Sequence, residues 1–187
     1  MKKFLFTLVV MLLLPLATMA QDTPKAEVFG GYSYFRMDGL GAPNENLNGW
    51  NGAATVNLNK WIGATADFSG HYGGPTIGGV KFHDNVHSFL FGPTFSYRQS
   101  GSLVPFAHVL IGASRFSQQG IGSDTGFAMA VGGGVDWKLR SNISLRVIQA
   151  DYVLARIADV PGVPGSPTDN ANNVRISTGI VFNFGKK

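Results

Sequence analysis

The segment that ends at Phe184 constrains the fold most, because its side chains alternate in character without a break. From Asn173 to Phe184 the chain reads NVRISTGIVFNF. Side chains in a β-strand point alternately to opposite faces, so one face here is apolar and aromatic and the other is small or polar. A soluble sandwich turns its large apolar side chains towards a core. Here the face that carries Arg175 and Gly179 suits a narrow barrel interior, and the aromatic face suits lipid.

The first twenty residues have the pattern of a secretory signal peptide. Lys2 and Lys3 are followed by the apolar run Phe4–Leu16 and by small residues that end at Ala20. An N-terminal membrane anchor is the alternative, but the run falls short of the ~20 residues that a helix needs to cross a bilayer. We therefore predict a signal peptide over residues 1–20 and one outer-membrane β-barrel domain over residues 21–187.

Composition excludes several classes of function. There is no cysteine, so the chain has neither thiolate metal sites nor a cysteine nucleophile. The formal charge of +4 loses two units with Lys2 and Lys3, and the remaining basic residues are scattered, which argues against a nucleic-acid partner. After the signal peptide no apolar stretch of helical length remains. If the mature chain lies in a membrane, it must form a closed barrel, because only helices and closed barrels satisfy their backbone there.

Eight segments of the mature chain show the same period of two, and the connections between them alternate between long and short. Outer-membrane barrels have short periplasmic turns and longer external loops. The long loops are predicted at Met37–Gly49, Gly70–Asn85, Ser117–Thr125 and Ile157–Asn172. The predicted strands are Ala26–Arg36, Trp50–Asn59, Trp61–Ser69, Val86–Arg98, Leu103–Phe116, Gly126–Lys138, Ile143–Arg156 and Asn173–Phe184.

These observations predict an all-β fold: an eight-stranded antiparallel up-and-down transmembrane β-barrel in a bacterial outer membrane. The alternative is a soluble lipocalin-like barrel, which would reverse the two faces and leave Phe89, Phe91 and Phe95 in water. Aromatic residues also gather at the end of the short turns, where an interfacial girdle is expected. They are Trp61, Tyr97, Trp137, Phe182 and Phe184.

Two places depart from simple alternation. Pro93 lies inside a predicted strand although proline cannot donate a backbone hydrogen bond, so a bulge is expected there. In the segment Ile143–Arg156, the parity of Gln149 and Asp151 differs from that of Arg146. We place Gln149 and Asp151 inside the barrel and Arg146 outside near the interface, unless a bulge changes the parity.

Three short motifs resemble one family. The C-terminal strand with its final aromatic residue, Val135-Asp136-Trp137 and the segment from Leu145 to Tyr152 are similar to eight-stranded outer-membrane barrels of the OmpA transmembrane domain and OmpX type. The resemblance covers the mature chain and implies an assembly signal at Phe182 and Phe184, although three residues extend beyond Phe184. It implies two partners, outer-membrane lipids and the barrel-assembly machinery. We expect no counterpart of the cell-wall-binding domain of full OmpA, so the resemblance does not imply tethering to the cell wall.

The polar residues that face inward are the main candidates for a functional site. Charges inside so narrow a barrel must pair or meet water, since isolated buried charge is costly. We predict a structural polar network, and the alternative is a gated conduit in which Arg175 pairs with Glu27 or Asp151 as a plug. The predicted network comprises Glu27, Asp67, His108, Asp136, Gln149, Asp151 and Arg175.

Two other kinds of site are weighed and set aside. Imidazole and carboxylate groups suit zinc, but the spacing of His71, His83, Asp84 and His87 matches no ligand motif, so a polar external loop is expected, without metal or cofactor. Some small outer-membrane barrels modify lipid A with His and Ser residues. Here His87 and Ser88 point to opposite faces of a strand, so no catalytic residues are predicted.

The expected function is therefore that of a non-enzymatic outer-membrane barrel with a structural, adhesion or surface-binding role. Its external loops are the expected binding surface for a host or surface ligand. A narrow, porin-like channel for small solutes is the first alternative. A lipid A-modifying enzyme is the second.

Overall fold

The computed structural model describes residues 23–37, 45–74, 76–77, 80–81, 83–99, 101–118, 120, 122–158 and 168–185. The predicted signal peptide and its cleavage position lie outside these residues. In the described ranges the chain forms β1 (Ala26–Met37), β2 (Glu45–Asn57), β3 (Ile62–Gly73), β4 (Thr76–Ile77), β5 (Val80–Lys81), β6 (Asp84–Ser96), β7 (Leu103–Gln118), β8 (Gly122–Arg140), β9 (Ile143–Ala158) and β10 (Thr168–Phe184).

Eight of these strands close into one antiparallel barrel, which confirms the predicted fold. Each is hydrogen-bonded to its neighbours in the order β1-β10-β9-β8-β7-β6-β3-β2, and β4 pairs with β5 in a small separate hairpin. The short connections β2–β3, β6–β7 and β8–β9 lie at the end that also carries the beginning of β1 and the end of β10. We name this the inner end of the barrel and the opposite one the outer end. No helix in the described ranges is long and apolar enough to cross a membrane.

The strands extend further towards the outer end than the sequence predicts. The ladder between β1 and β2 continues to the pair Met37 and Glu45, inside the predicted loop Met37–Gly49. Leu47, within the same predicted loop, is completely buried. Polar residues such as Asn46 are typical of loops, which is why the sequence predicted one here. An antiparallel ladder nevertheless accommodates them where the strand extends into water beyond the membrane. The remainder of that loop, residues 38–44, lies outside the described residues.

The two faces of the barrel wall are those predicted. Large apolar side chains point away from the interior, and Phe68 packs edge-on against Phe89 and Phe91 on this outer surface. The soluble-barrel alternative is wrong, because these side chains are exposed rather than enclosed. The exposed set includes Phe89, Phe91, Phe95, Val109, Ile111, Phe127, Val131 and Ile176.

Two belts of aromatic residues bound this apolar band. The inner belt is exposed at the end of the short turns, as predicted, and includes Tyr97, Trp137, Phe182 and Phe184. At the outer belt, tyrosine hydroxyls donate to asparagine side chains of the neighbouring strand: Tyr32 to Asn48, Tyr34 to Asn46 and Tyr152 to Asn172. Amphipathic rings with a satisfied hydroxyl are typical of the membrane–water interface.

A β-bulge in β9 reverses the parity of that strand. The register with β10 and with β8 shifts by one residue on either side of Val147, which pairs in neither ladder. Val147 and Ile148 are both exposed although they are consecutive. Arg146 therefore points into the barrel, and its predicted position outside is wrong. The alternative stated from the sequence, a bulge that changes the parity, is present.

No bulge occurs at Pro93, contrary to prediction. The pairs Phe91–Ile111 and Thr94–His108 have the same register on both sides of the proline. The ladder with β7 omits Gly92 and Pro93, while the ladder with β3 continues through both positions. The missing donor of Pro93 is therefore accommodated by two unpaired positions in one ladder instead of an inserted residue.

Candidate functional site in the barrel interior

Arg175 on β10 is the centre of a buried network of polar side chains. Its side chain is 1% exposed. Nη1 donates to Asp67 Oδ1 at 2.7 Å and to Ser69 Oγ at 3.2 Å, and Nε donates to Asp151 Oδ2 at 2.9 Å. One guanidinium therefore connects β3, across the interior, with the adjacent strand β9. Two carboxylates share this one cation through charge-assisted hydrogen bonds.

Asp151 has two further partners. Nε2 of His108 lies 2.8 Å from Oδ1 of Asp151, and Gln149 Nε2 donates to Oδ2 at 2.8 Å. Room for this carboxylate depends on Gly132 in β8, where an added Cβ would lie 2.2 Å from Asp151 Oδ1. The absence of a side chain at Gly132 thus allows the charged group to approach the barrel wall.

Arg146, brought inside by the bulge, extends the network towards the inner end. Its Nε and Nη2 donate to the two oxygens of Asp136 at 2.8 and 3.0 Å, and Nη1 donates to Gln149 Oε1 at 2.6 Å. The guanidinium carbon lies 4.3 Å from the ring centre of Phe29 and 4.2 Å from that of Phe106. A two-pronged contact with carboxylate plus contact with two rings holds this cation in one position.

Glu27 belongs to a separate group at the inner mouth. Nη2 of Arg98 donates to Glu27 Oε1 at 2.7 Å and to Asn57 Oδ1 at 3.2 Å. The suggested pairing of Arg175 with Glu27 is therefore wrong, whereas its pairing with Asp151 is present. Arg98 was not among the predicted site residues. Its parity in the predicted strand Val86–Arg98 was the signal that pointed inward.

We call the connected central set the inner network: Asn51, Asp67, His108, Asp136, Arg146, Gln149, Asp151 and Arg175. Six of the seven predicted site residues lie in it, and Glu27 lies just below. The sequence missed Arg146 because of the bulge. It missed Asn51, which donates to Asp67 Oδ2 at 2.9 Å, because it weighed mainly ionisable groups.

An apolar layer fills the interior on the outer side of the inner network. On β7 the apolar residue Leu110 follows His108, and on β9 Val153 follows Asp151, in both cases towards the outer end. Leu47, Leu90 and Leu110 are completely buried. The apolar layer consists of Phe35, Met37, Leu47, Val86, Leu90, Leu110, Phe116, Ala128, Ala130, Val153 and Ala155.

The predicted external group of histidines and aspartate is dispersed. His71 lies inside the barrel, stacked on Phe35 at 4.8 Å between ring centres, with Nε2 2.8 Å from Ser33 Oγ. His87 faces outward and its Nε2 lies 3.2 Å from the hydroxyl of Tyr72, while His83 is exposed. Among the described residues, no three histidine or acidic side chains are grouped as metal ligands would be.

The two residues weighed for catalysis, His87 and Ser88, are not brought together. Ser88 points into the interior and shares a hydrogen bond of 2.7 Å with Ser114, while His87 lies on the opposite face of β6. The two side chains therefore do not form a nucleophile–base pair, which needs both groups within hydrogen-bond reach.

Two acidic side chains meet at the outer rim, beyond the tyrosine–asparagine belt. Burial and the neighbouring charge of Asp84 raise the pKa of Glu45 to about 7. Burial also raises the pKa of Asp84. Glu45 Oε2 and Asp84 Oδ1 lack hydrogen-bond partners among the described residues. This geometry favours a carboxyl–carboxylate pair that holds one proton between its members.

Phe182 and Phe184 end β10 on the outward face and are about half exposed. Recognition of these two residues by the barrel-assembly machinery stays a prediction.

Comparison with known proteins agrees with this geometry. The family described as "Outer membrane protein beta-barrel domain" matches residues 6–184. Ail, the attachment invasion locus protein of Yersinia pestis, is 19% identical, with a TM-score of 0.57 over 87% of this chain and 99% of its own. Neisserial surface protein A is 14% identical, with a TM-score of 0.63 over 89% and 100%. OprG from Pseudomonas aeruginosa is 11% identical, with a TM-score of 0.54 over 88% and 98%. No curated protein matches the chain. At these identities the structural likeness concerns the fold.

Proposed function

Because this chain belongs to the family of outer-membrane proteins with a β-barrel domain, we propose that it is a non-conducting barrel that acts through its external surface, as an adhesin or other surface-binding protein. In this role the barrel wall anchors the chain in lipid. The interior stabilises the wall, and the strand ends and loops above the outer belt make contact with a ligand. The role needs neither a cofactor nor catalysis.

The observation that carries this proposal is that the interior is closed at two successive levels. The apolar layer contains Leu47, Leu90 and Leu110, none of which has accessible surface. Below it, Arg175 spans the interior between Asp67 and Asp151. An eight-stranded barrel has an interior only just wide enough for its side chains, so closure at both levels supports a non-conducting barrel.

The neighbours add support for surface binding. Ail is named an attachment invasion locus protein, and one of its structures is a complex with the heparin analogue sucrose octasulfate. In this chain the hydrogen-bonded ladder of β7 and β8 continues beyond the outer belt to the pair Gln118 and Gly122. Arg115 is exposed on this ladder and donates to Ser123 Oγ at 2.9 Å. Such ladders present side chains to a ligand at low entropic cost.

Solute flux through liposomes that contain the refolded mature chain tests the closed interior. The wild-type protein and R175A are both expected to show no flux above protein-free liposomes, because the apolar layer remains intact in the variant. A gel shift between boiled and unboiled samples checks that each barrel is closed. Solute-dependent flux through the wild-type protein would reject this proposal and favour the porin-like alternative.

Binding of cells that display the chain to epithelial monolayers tests the external surface. Replacement of residues 38–44 by a Gly/Ser segment of equal length is expected to abolish adhesion and to leave the gel shift unchanged. The exchange must stop before Glu45, because a replacement of all of Met37–Gly49 would remove the buried Leu47. A Gly/Ser replacement of the turn Gln99–Ser102 at the inner end is the matched control. Unchanged adhesion in both variants would contradict the proposed surface. An altered mass of lipid A in the cells that display the chain would instead favour the lipid A-modifying enzyme.

A further inference from the structure

We propose that the inner mouth of the barrel is a binding site for a small anion of the phosphate monoester class. A cavity of about 150 Å3 opens at this end, between the short turns and the two chain ends. Its lining includes Lys138, Arg140, Ser141, Ser144, Asn183 and Val104. We call this cavity the vestibule. It lies below the inner network and is separate from the external surface proposed above.

The vestibule has an excess of positive charge. Its two acidic residues are already engaged, Glu27 by Arg98 at 2.7 Å and Asp136 by Arg146 at 2.8 Å. Lys138 and Arg140 take part in none of the ion pairs formed by the described residues. Both are exposed to the cavity, so they keep their hydration when it is empty. The site therefore has two positive charges and no described carboxylate that neutralises them.

Hydroxyl and amide groups supply further donors. Asn183 Nδ2 donates to Ser144 Oγ at 3.0 Å, so the hydroxyl hydrogen of Ser144 is free to donate to another acceptor. Ser141 adds a second hydroxyl at the rim. A guanidinium offers two parallel N–H groups that match the spacing of oxygens in phosphate, and an ammonium adds a compact charge. Two cations and two hydroxyls match an oxyanion of charge about −2 better than a single carboxylate.

On the side of the inner network, Asp136 lines the vestibule and holds Arg146, which also contacts Phe29 and Phe106. An anion in the vestibule therefore faces a cation that is already held in place by its own partners. Soluble phosphate esters and phospholipid headgroups share the required chemistry, and the test separates the two sources.

The test is isothermal titration of the full mature chain, in nanodiscs of zwitterionic lipid, with glycerol phosphate at constant ionic strength. We expect saturable binding that weakens about tenfold or more in K138Q/R140Q. The control R36Q/K60Q removes the same charge outside the vestibule and is expected to retain wild-type affinity. S144A, which removes one donor, is expected to weaken binding severalfold. Binding should also weaken between pH 7.5 and 5, because the second ionisation of a phosphate monoester has a pKa near ~6.

Several outcomes would overturn the proposal: no saturable binding, equal affinity in K138Q/R140Q and the wild type, or an equal loss in the R36Q/K60Q control. A repeat in nanodiscs with anionic phospholipid identifies the source. Loss of glycerol phosphate binding there assigns the vestibule to lipid headgroups, and unchanged binding assigns it to soluble esters. The gel shift between boiled and unboiled samples confirms that each variant is folded.

Discussion

The apolar layer and the inner network fill the same barrel, yet they close it by different physics. In the apolar layer, Leu47, Leu90 and Leu110 exclude water by packing alone. In the inner network, Arg175 and Arg146 close the interior through ion pairs with three carboxylates. Packing tolerates small shifts, whereas a buried ion pair needs every partner in place. A barrel interior shielded from lipid therefore need not be polar throughout, and its two levels are expected to respond differently to substitution.

The two levels contribute differently to the free energy of unfolding. Each fully buried leucine of the apolar layer stabilises the fold by roughly 1.5–3 kcal/mol through removal from water. The ion pairs of the inner network gain little in net terms, because desolvation of the charges offsets their attraction. Loss of one partner is nevertheless costly, since it leaves the other charge buried. The inner network therefore makes the interior specific, and the apolar layer makes it stable.

R175A is expected to have the largest effect on stability. The substitution leaves Asp67 and Asp151 buried without their shared cation, so the free energy of unfolding should fall by roughly 3–5 kcal/mol. Urea titration of the protein in lipid vesicles, followed by tryptophan fluorescence, measures this change. R98A is the matched control at the inner mouth, where Glu27 can meet water, and it should cost less than half as much. Equal costs would show that depth in the barrel does not govern the penalty.

L90A tests the apolar layer and should rank second. It removes buried methyl groups and leaves a cavity, which costs about 3 kcal/mol in comparable cores. The exposed Leu139 at the inner turn provides the control, and L139A should stay within about 0.5 kcal/mol of the wild type. The same urea titration applies. If L90A costs no more than L139A, the outer level of the interior is loosely packed.

Arg146, which lies inside the barrel beside the bulge, provides the third test. R146A leaves the buried carboxylate of Asp136 without its partner, so the free energy of unfolding should fall by about 2 kcal/mol in the same urea titration. Deletion of Val147 is the control. It removes only the inserted residue, so strict alternation returns with Ile148 outward and Arg146 still inward, and the loss should stay under about 1 kcal/mol. A deletion variant that loses as much stability as R146A would mean that the bulge itself is needed to hold Arg146 inside.

The smallest expected effect is the dependence of stability on pH at the outer rim. The pKa of Glu45 is about 7 in the folded chain and near 4.5 when exposed, so the folded state holds a proton that the unfolded chain releases. Stability should therefore fall as pH rises from about 4.5 to about 7, by on the order of 1 kcal/mol after solvent screening. E45Q should remove this slope, and D169N should keep it. A slope that survives in E45Q would place its origin elsewhere.

The sequence predicted the wall of this barrel well because a period of two is a direct consequence of strand geometry. Every predicted strand has its counterpart, and the predicted inward and outward faces agree with the structure except at the bulge in β9, where Arg146 was placed outside. Strand ends were predicted too short, since Asn46 and His71 have the composition of loops although the ladder continues through them. Polar residues indicate that a segment is exposed to water, but they do not decide whether its backbone pairs with a neighbouring strand.

The pairing of side chains inside the barrel could not be predicted from the sequence, for a different reason. Arg175 meets Asp67 across the interior, and that contact depends on strand tilt and register, which no local pattern encodes. Arg98 and Glu27 likewise meet through closure of the barrel. For Arg146 a local signal existed: the adjacent apolar pair Val147-Ile148 between two polar residues is typical of a bulge.

The single inserted residue at Val147 has a consequence for evolutionary comparison. A relative without the bulge would carry its lumenal arginine one position away when the strands are aligned without a gap. Every residue on the inner side of that point would then be assigned to the wrong environment, lipid for lumen. Substitution patterns would appear to show a charge exchanged for an aliphatic residue where the ancestral contact is in fact preserved. Alignments of such barrels should therefore place a gap at this position before conserved interior charges are counted.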